Sequence, residues 1–365
     1  MNDDRFMRMA VGLARRGHGN VAPNPSVGCV IVRDGCVVGR GWTRPGGRPH
    51  AETEALAQAG AAAAGADVYV TLEPCAHHGE TPPCAEALID AGVGRVIIGA
   101  GDPDPRVDGG GISMLRAAGI AVVEGCCAGD AKRVAEGFLR RVRDGRPMVT
   151  VKAATSLDGR IATSTGASQW ITGEISRALG HGMRARHDAI MVGGATALAD
   201  NPSLTCRLPG LENASPARVV VCGAAPVPAE HALVATASRT PTIFITGDAQ
   251  TLENREACEA AGVSVIEVGT DTDGNVDIIA ALAALGGQGI TRLMVEGGGR
   301  LISALFRADL VDRLVWFRAP KVIGGDGIPV ASAFGVAELD GAANFVNVSA
   351  RPAGDDLVET YMRKD

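Results

Sequence analysis

Aromatic side chains make up only 3% of this 365-residue chain. Such scarcity excludes a scaffold built on aromatic clusters and, with Gly and Ala abundant, suits tightly packed α/β layers. Basic charge is short as well: 35 Lys and Arg stand against 41 Asp and Glu, for a formal net charge of −6. A nucleic-acid binder needs a basic stripe; none is visible, so no nucleic-acid partner is expected. No apolar run reaches the roughly 20 residues of a membrane-spanning helix, so no membrane association is expected. The first residues, 'MNDDRFMRMAVGLARRG', are acidic and then amphipathic, without the apolar stretch of a secretory leader. The nine cysteines, odd in number and scattered, therefore fit a reducing, cytoplasmic setting in which they serve as thiols or metal ligands rather than bridges.

What the chain does have is length and apolar content. At 365 residues, 46% of them hydrophobic, two domains with separate cores are expected. 'VGCVIVRDGCVVGRGW' reads as two strands around an Asp34-Gly35 turn. 'HAETEALAQAG' reads as a helix, 'ADVYVTLEP' as a strand, 'CAEALIDAGV' as a helix and 'RVIIGAG' as a strand. A hairpin followed by βαβ implies one sheet with helices packed on it. A charged helix over 130–143 and the linker 'RDGRP' (143–147) close this half. The domains are drawn at 1–145 and 146–365. Beyond the linker, 'MVTVKAATSLDG', 'DAIMVGGAT', 'ARVVVC', 'PTIFIT', 'VSVIEV', 'RLMVEGGG' and 'RLVWFRAP' predict a second, mostly parallel sheet.

The stretch from His50 to Cys84 carries the first chemistry. Zinc prefers thiolate and imidazole ligands, and a catalytic zinc keeps one position open for water. His50, Cys75 and Cys84 supply three such ligands, and Glu52 stands two residues on, placed to meet the water as general acid and base without ligating. This is the His-x-Glu, Pro-Cys, Cys pattern of zinc deaminases. A structural zinc would want a fourth ligand, for which His77 and His78 are the candidates. The other cysteines (Cys29, Cys36, Cys126, Cys127, Cys206, Cys222 and Cys258) read as structural or incidental.

'APNPSVGCVIV', 'HAETEAL' and 'VTLEPCAHHGETPPC' resemble the deaminase half of the bifunctional riboflavin-biosynthesis deaminase/reductase family. The long Cys-to-Cys loop ending in Thr-Pro-Pro-Cys is characteristic of it. The resemblance implies a cytidine-deaminase-like α/β/α domain whose substrate is 2,5-diamino-6-ribosylamino-4(3H)-pyrimidinone 5′-phosphate, with one Zn2+ per chain. It suggests Asn24 as a substrate contact, though a turn residue between prolines reads equally well. Glu80 stands where the family often has a cation, leaving His77, Arg48 and Arg106 as candidates for the phosphate.

The second half lacks a convincing Gly-x-Gly-x-x-Gly, so no Rossmann fingerprint announces a nicotinamide cofactor. It does have 'LMVEGGGRLISALF', a strand, a glycine turn and a helix, where backbone N–H groups can approach a phosphate. With 'KAATSLDGRIA', 'SQWIT' and 'RARHDAIMVGGATALADNPSLTCR' in order, it resembles the reductase half of the same family, whose fold is like dihydrofolate reductase. By matching position, Ala154, Trp170, Thr196, Asp200, Gly298, Gly299 and Arg300 would contact NADPH. Ser168, Arg184, Leu204, Arg207 and Glu296 would contact substrate. Thr155 and Arg300 depart from the small residues usual at their positions. The implied reaction is hydride transfer to C1′ of the ribosyl group, giving ribityl. A homo-oligomer, dimer or tetramer, is expected. Three other readings stay open: a deaminase with an inactive second domain, an editor of flipped nucleic-acid bases, and a zinc-stabilised binding module.

Overall fold

The computed structural model describes residues 3–78, 82–223, 227–248 and 254–364. Its contacts divide the chain into two compact units, one up to Arg146 and one from Pro147 onward.

In the first unit, β1 (Gly28–Arg33) and β2 (Cys36–Trp42) form the expected hairpin. Asp34 and Gly35 both adopt positive φ, 51° and 76°, the geometry of the two-residue turn that matches strand twist. β3 (Asp67–Leu72) pairs antiparallel with β1, and β4 (Arg95–Ala100) and β5 (Ala121–Glu124) extend the sheet in parallel, in the order β2-β1-β3-β4-β5. Strand alternation divides the faces. Val30, Val32, Tyr69 and Ile97 meet α1 (Asp3–Ala14) through Phe6, Met7 and Ala10. Cys29, Ile31, Val68, Val70 and Ile98 meet α2 (Ala51–Ala59), α3 (Cys84–Asp90) and α4 (Gly110–Ala117). The charged helix, α5 (Ala128–Asp144), ends at Gly145 in the left-handed conformation, as helix C-termini commonly do.

One close approach sets the position of the first site. A Cβ on Gly39 would lie 2.2 Å from the Ala55 carbonyl oxygen, and one on Gly41 would lie 2.1 Å from that of Ala51. Without side chains there, α2 lies directly on β2, and that fixes where the helix start delivers His50 and Glu52.

The second unit begins with β6 (Met148–Thr155) and β7 (Arg160–Ala162), followed by α6 (Glu174–Arg184), β8 (Ala189–Gly193), α7 (Gly194–Asp200) and β9 (Ala217–Val221). Then come α8 (Ala232–Ala235), β10 (Thr242–Gly247), α9 (Arg255–Ala260), β11 (Val263–Val268), α10 (Ile278–Gly287), β12 (Arg292–Gly297) and α11 (Gly299–Arg307). β13 (Arg313–Arg318), β14 (Ile328–Pro329), β15 (Phe345–Ala353) and β16 (Asp356–Arg363) complete it. The sheet runs β11-β10-β9-β8-β12-β6-β13-β16-β15. From β11 to β13 all pairs are parallel, and the last two strands add antiparallel to that edge. The expected mostly parallel sheet is present. α10 and α11 cover one face. Because β12 inserts between β8 and β6, the order reverses there, and such switch points at the carboxyl ends of parallel strands form ligand crevices.

Candidate active sites

His50 precedes α2 in extended backbone, Cys84 opens α3 directly after Pro83, and Cys75 follows β3 on a loop. Three separate elements thus deliver three donors. His50 Nδ1 lies 3.2 Å from Cys84 Sγ and 3.7 Å from Cys75 Sγ. Ligands of a tetrahedral zinc at ordinary Zn–N and Zn–S lengths are about 3.5 Å apart, so the donor set fits the ion. Among the described residues the cluster holds these three donors and no fourth. His78 instead faces Glu86 at 3.4 Å. Three ligands match a site with one open position rather than the closed set of a structural zinc.

The charges within the cluster are strongly coupled. Cys75 is drawn down to about 4, chiefly by its hydrogen bond with Cys84 and also by His50. The same hydrogen bond, with burial, pushes the Cys84 thiol upward. These opposite shifts describe one proton shared between two sulfurs, and the direction we rely on is the stabilised thiolate at Cys75. The Cys84 backbone N–H donates to Cys75 Sγ at 3.2 Å, further favouring that thiolate. Glu52 is only 3% exposed, and burial raises its carboxyl to about 7 against the pull of His50. A carboxyl balanced near neutrality can both accept and return a proton.

Asn24 is half-buried, with its side chain against Gly47, three residues before His50; a Cβ there would lie 2.0 Å from Asn24 Nδ2. Of the phosphate candidates, Arg106 is tied to Asp104 by contacts of 2.5–3.1 Å. His77 has a buried Nδ1 with no hydrogen-bond partner among the described residues. Glu80 lies outside the described residues.

At the second site, strand register puts Lys152 of β6 and Glu296 of β12 on the same face, toward α6. Arg184, ending α6, grips Glu296 through Nε and Nη2 at 2.7 and 2.8 Å, and its Nη1 donates to the Thr205 carbonyl at 3.0 Å. Burial alone would raise Glu296, but the Arg184 charge and hydrogen bonds outweigh it and hold the carboxyl at about 2. Arg184 is therefore a paired cation with only 15% of its side chain exposed. The Arg207 backbone N–H donates to His181 Nδ1 at 3.3 Å, and its exposed guanidinium donates to Ser203 Oγ at 2.8 Å. Leu204 takes φ +53° while its side chain is buried in the core with Ile190, Val192 and Val220. Any contact it makes with a ligand must come from its backbone. Ser168 is exposed on the loop before α6.

The nicotinamide candidates gather around the switch point. Thr196, in the first turn of α7, and Gly298, before α11, approach so closely that a Cβ on Gly298 would lie 3.0 Å from Thr196 Oγ1. Gly297 and Gly298 both have positive φ, 129° and 48°. The cradle is shaped for backbone approach by a bulky anion. Exposed Arg300 sits in the first turn of α11, where a cation opposes the helix dipole unless an anion is present. Ala154 ends the same face as Lys152, and exposed Asp200 ends α7. Trp170 is 61% exposed with the Arg177 guanidinium over its ring at 4.6 Å, so it is not a core residue. The departure at Thr155 is accommodated: its Oγ1 donates to Ser156 O and accepts from Trp316 Nε1.

Sequence reasoning missed Lys152 and His181. Lys152 had a readable signal, the one charge in the otherwise uncharged strand 'MVTVKAAT'. His181 had none beyond lying one turn before Arg184.

Residues 1–100 match the family described as cytidine and deoxycytidylate deaminase zinc-binding region, and residues 147–358 match the RibD C-terminal domain. The riboflavin biosynthesis protein RibD of Escherichia coli is 40% identical, over 98% of both chains. Acinetobacter baumannii RibD superposes with a TM-score of 0.88 at 33% identity, covering 100% of this chain and 99% of that one. A crystal structure from Thermotoga maritima, a diaminohydroxyphosphoribosylaminopyrimidine deaminase/5-amino-6-(5-phosphoribosylamino)uracil reductase, superposes at 0.86 with 32% identity over 99% of each chain.

Proposed function

Because the chain belongs to the RibD family of bifunctional riboflavin-biosynthesis deaminase/reductases, we propose that its two sites act in succession on one phosphorylated pyrimidine. The first deaminates 2,5-diamino-6-ribosylamino-4(3H)-pyrimidinone 5′-phosphate. The second reduces the ribosyl group of the product to ribityl, giving 5-amino-6-ribitylaminouracil 5′-phosphate. The observation that carries this reading is the three-donor cluster of His50, Cys75 and Cys84 with buried Glu52 beside it.

His50, Cys75 and Cys84 would hold zinc, which supplies Lewis acidity that brings a water's pKa towards roughly 7. Glu52 takes a proton on its carboxylate and returns it to the departing ammonia. Asn24 orients the pyrimidine, and half-buried His77 is the side chain we assign to its phosphate. In the second unit Ala154, Trp170, Thr196, Asp200 and the Gly298–Gly299–Arg300 turn would hold NADPH, which would supply the hydride. Ser168, Arg207 and the backbone at Leu204 bind the substrate, with Arg184 and Glu296 forming one wall. On that wall Lys152 carries a transferable proton, which suits it to serve the ring oxygen as the sugar opens. A cytoplasmic homo-oligomer is the setting we infer.

The test is product analysis by mass, with and without NADPH. Without it, the product should have one amino group replaced by oxygen; with it, two further hydrogens. Glu52→Gln should retain zinc and slow the first conversion by roughly 10²-fold or more, the usual scale of general acid–base work. It should leave reduction of pre-deaminated substrate intact. Near-normal deamination in this variant would sink the role given to Glu52.

A further inference from the structure

Cys126 and Cys127, which the sequence offers as incidental thiols, lie between β5 and α5 opposite the start of α1. Side chains of consecutive residues ordinarily diverge. Here Cys127 adopts φ +50°, ψ 38°, one of five non-glycine residues with positive φ among those described, and both sulfurs turn towards Asp4. Cys126 Sγ is 3.8 Å from Asp4 Oδ1, and Cys127 Sγ is 3.8 Å from the Asp4 carbonyl oxygen. The two sulfurs and a carboxylate oxygen all lie within 4.8 Å of one another. Backbone strain in a non-glycine residue persists where the surroundings over-determine it. Here the Cys126 N–H bond to the Ile98 carbonyl and the Ala131 N–H bond to the Cys127 carbonyl fix the connection.

We propose that Cys126, Cys127 and Asp4 form a second metal site, for a thiophilic d10 cation such as zinc or cadmium. It shares no residue with the His50 cluster. Two thiolates and one carboxylate are a soft donor set that selects such ions over magnesium or calcium, and water can complete four-coordination. Burial pushes both thiols upward, Cys126 to about 12, so binding of the ion must release their protons. The N-terminal dipole of the 17-residue helix that Cys127 caps offsets part of that cost. Among the described residues Arg8 pairs with Asp4, at 3.4 Å between largely exposed side chains, a pairing weak enough to yield to an ion. All three donors are half-buried or exposed, so an ion can reach them without unfolding the unit. A cation there joins the first turn of α1 to the start of α5, two segments 122 residues apart in sequence.

The test is cadmium titration of the metal-free full-length protein, read by thiolate-to-cadmium charge-transfer absorbance and by bound-metal analysis. Wild type should take up two ions per chain. The double variant Cys126→Ser/Cys127→Ser should take up one, lose about half the absorbance, and keep deaminase activity when zinc is restored. Asp4→Asn, which leaves both thiols and the fold in place, should weaken the second equivalent by at least tenfold, a loss seen even for outer partners of metal ligands. One equivalent in wild type, or two in the double variant, would overturn the proposal. So would unchanged affinity in Asp4→Asn.

Discussion

Arg184 lies in an amphipathic helix whose sequence offers it to solvent, yet its guanidinium closes on Glu296, 112 residues away. Its replacement would not report cleanly on substrate phosphate, because it would leave a carboxylate that is only 12% exposed without its cation. Losing one partner of such a pair costs about 3–5 kcal/mol. The Glu296 carboxyl is lowered from 4.5 to about 2 in the folded chain. Its contribution to stability is therefore fully present above its unfolded value near 4.5 and is lost as pH falls towards 2. In Arg184→Met that contribution is missing at neutral pH, and protonation relieves the stranded carboxylate. The gap in thermal midpoint between wild type and variant should thus narrow from about pH 5 to about pH 3; parallel curves over that range would refute the pairing. Arg207 is the better phosphate probe. Its fork is exposed and engages Ser203, and losing a hydrogen bond to a charged group costs about 1.5–3 kcal/mol, or roughly 10- to 150-fold in kcat/KM. Arg207→Ala should lose that factor with the phosphorylated substrate and much less with its dephosphorylated analogue. Equal losses would remove Arg207 from the phosphate. The sequence places Arg207 on a loop because 'NPSLTC' reads as one, whereas the Arg184–Glu296 pair joins a helix to a strand and no local pattern announces it.

Among the elements, those with a local signature are the ones the sequence makes legible. The Asp34-Gly35 turn needs two residues at positive φ, and this dipeptide supplies them cheaply. α2 and α3 follow His50 and Pro83, and both helix starts are marked by residue type. Gly39 and Gly41 are different. In the sequence they weaken a strand, and only the packing of α2 on β2 explains them. Gly41→Ala would put a methyl group 2.1 Å from a helix carbonyl oxygen and 2.8 Å from the Ala55 nitrogen, neither of which can move without the helix. Overpacking of this kind costs about 1–3 kcal/mol, and here the displaced element carries Glu52 and begins at His50, the proposed metal ligand. Gly41→Ala should therefore lower zinc affinity and deaminase kcat together while reductase activity stays at wild-type level, measured on the same preparation. An intact deaminase with a shifted thermal midpoint would mean that α2 yields without carrying its site along.

At the scale of the whole molecule, the division of labour follows from two main sheets, one in each unit, that do not exchange strands. The sequence marks the division with charge, glycine and proline in 'RDGRP'. Gly145 at φ +69° ends α5, and Pro147 cannot continue a helix. What composition could not provide was the strand order of the second sheet, since the insertion of β12 between β8 and β6 is a long-range choice. A unit with its own sheet and core should fold alone. We therefore expect a cut between Gly145 and Pro147 to yield two soluble pieces. The first should deaminate the pyrimidine and lose that activity to a chelator, because its metal donors are all its own. The second should reduce pre-deaminated substrate with NADPH at a rate the chelator does not touch, because its candidate residues include no part of the zinc cluster. Chelation of the uncut chain should reproduce this split, stopping deamination and sparing reduction. If the pieces fold yet chelation of the intact chain stops both reactions equally on their own substrates, the metal supports more than deamination. If neither piece folds, the two sheets depend on a common core, and the boundary at 145–146 does not separate independent domains.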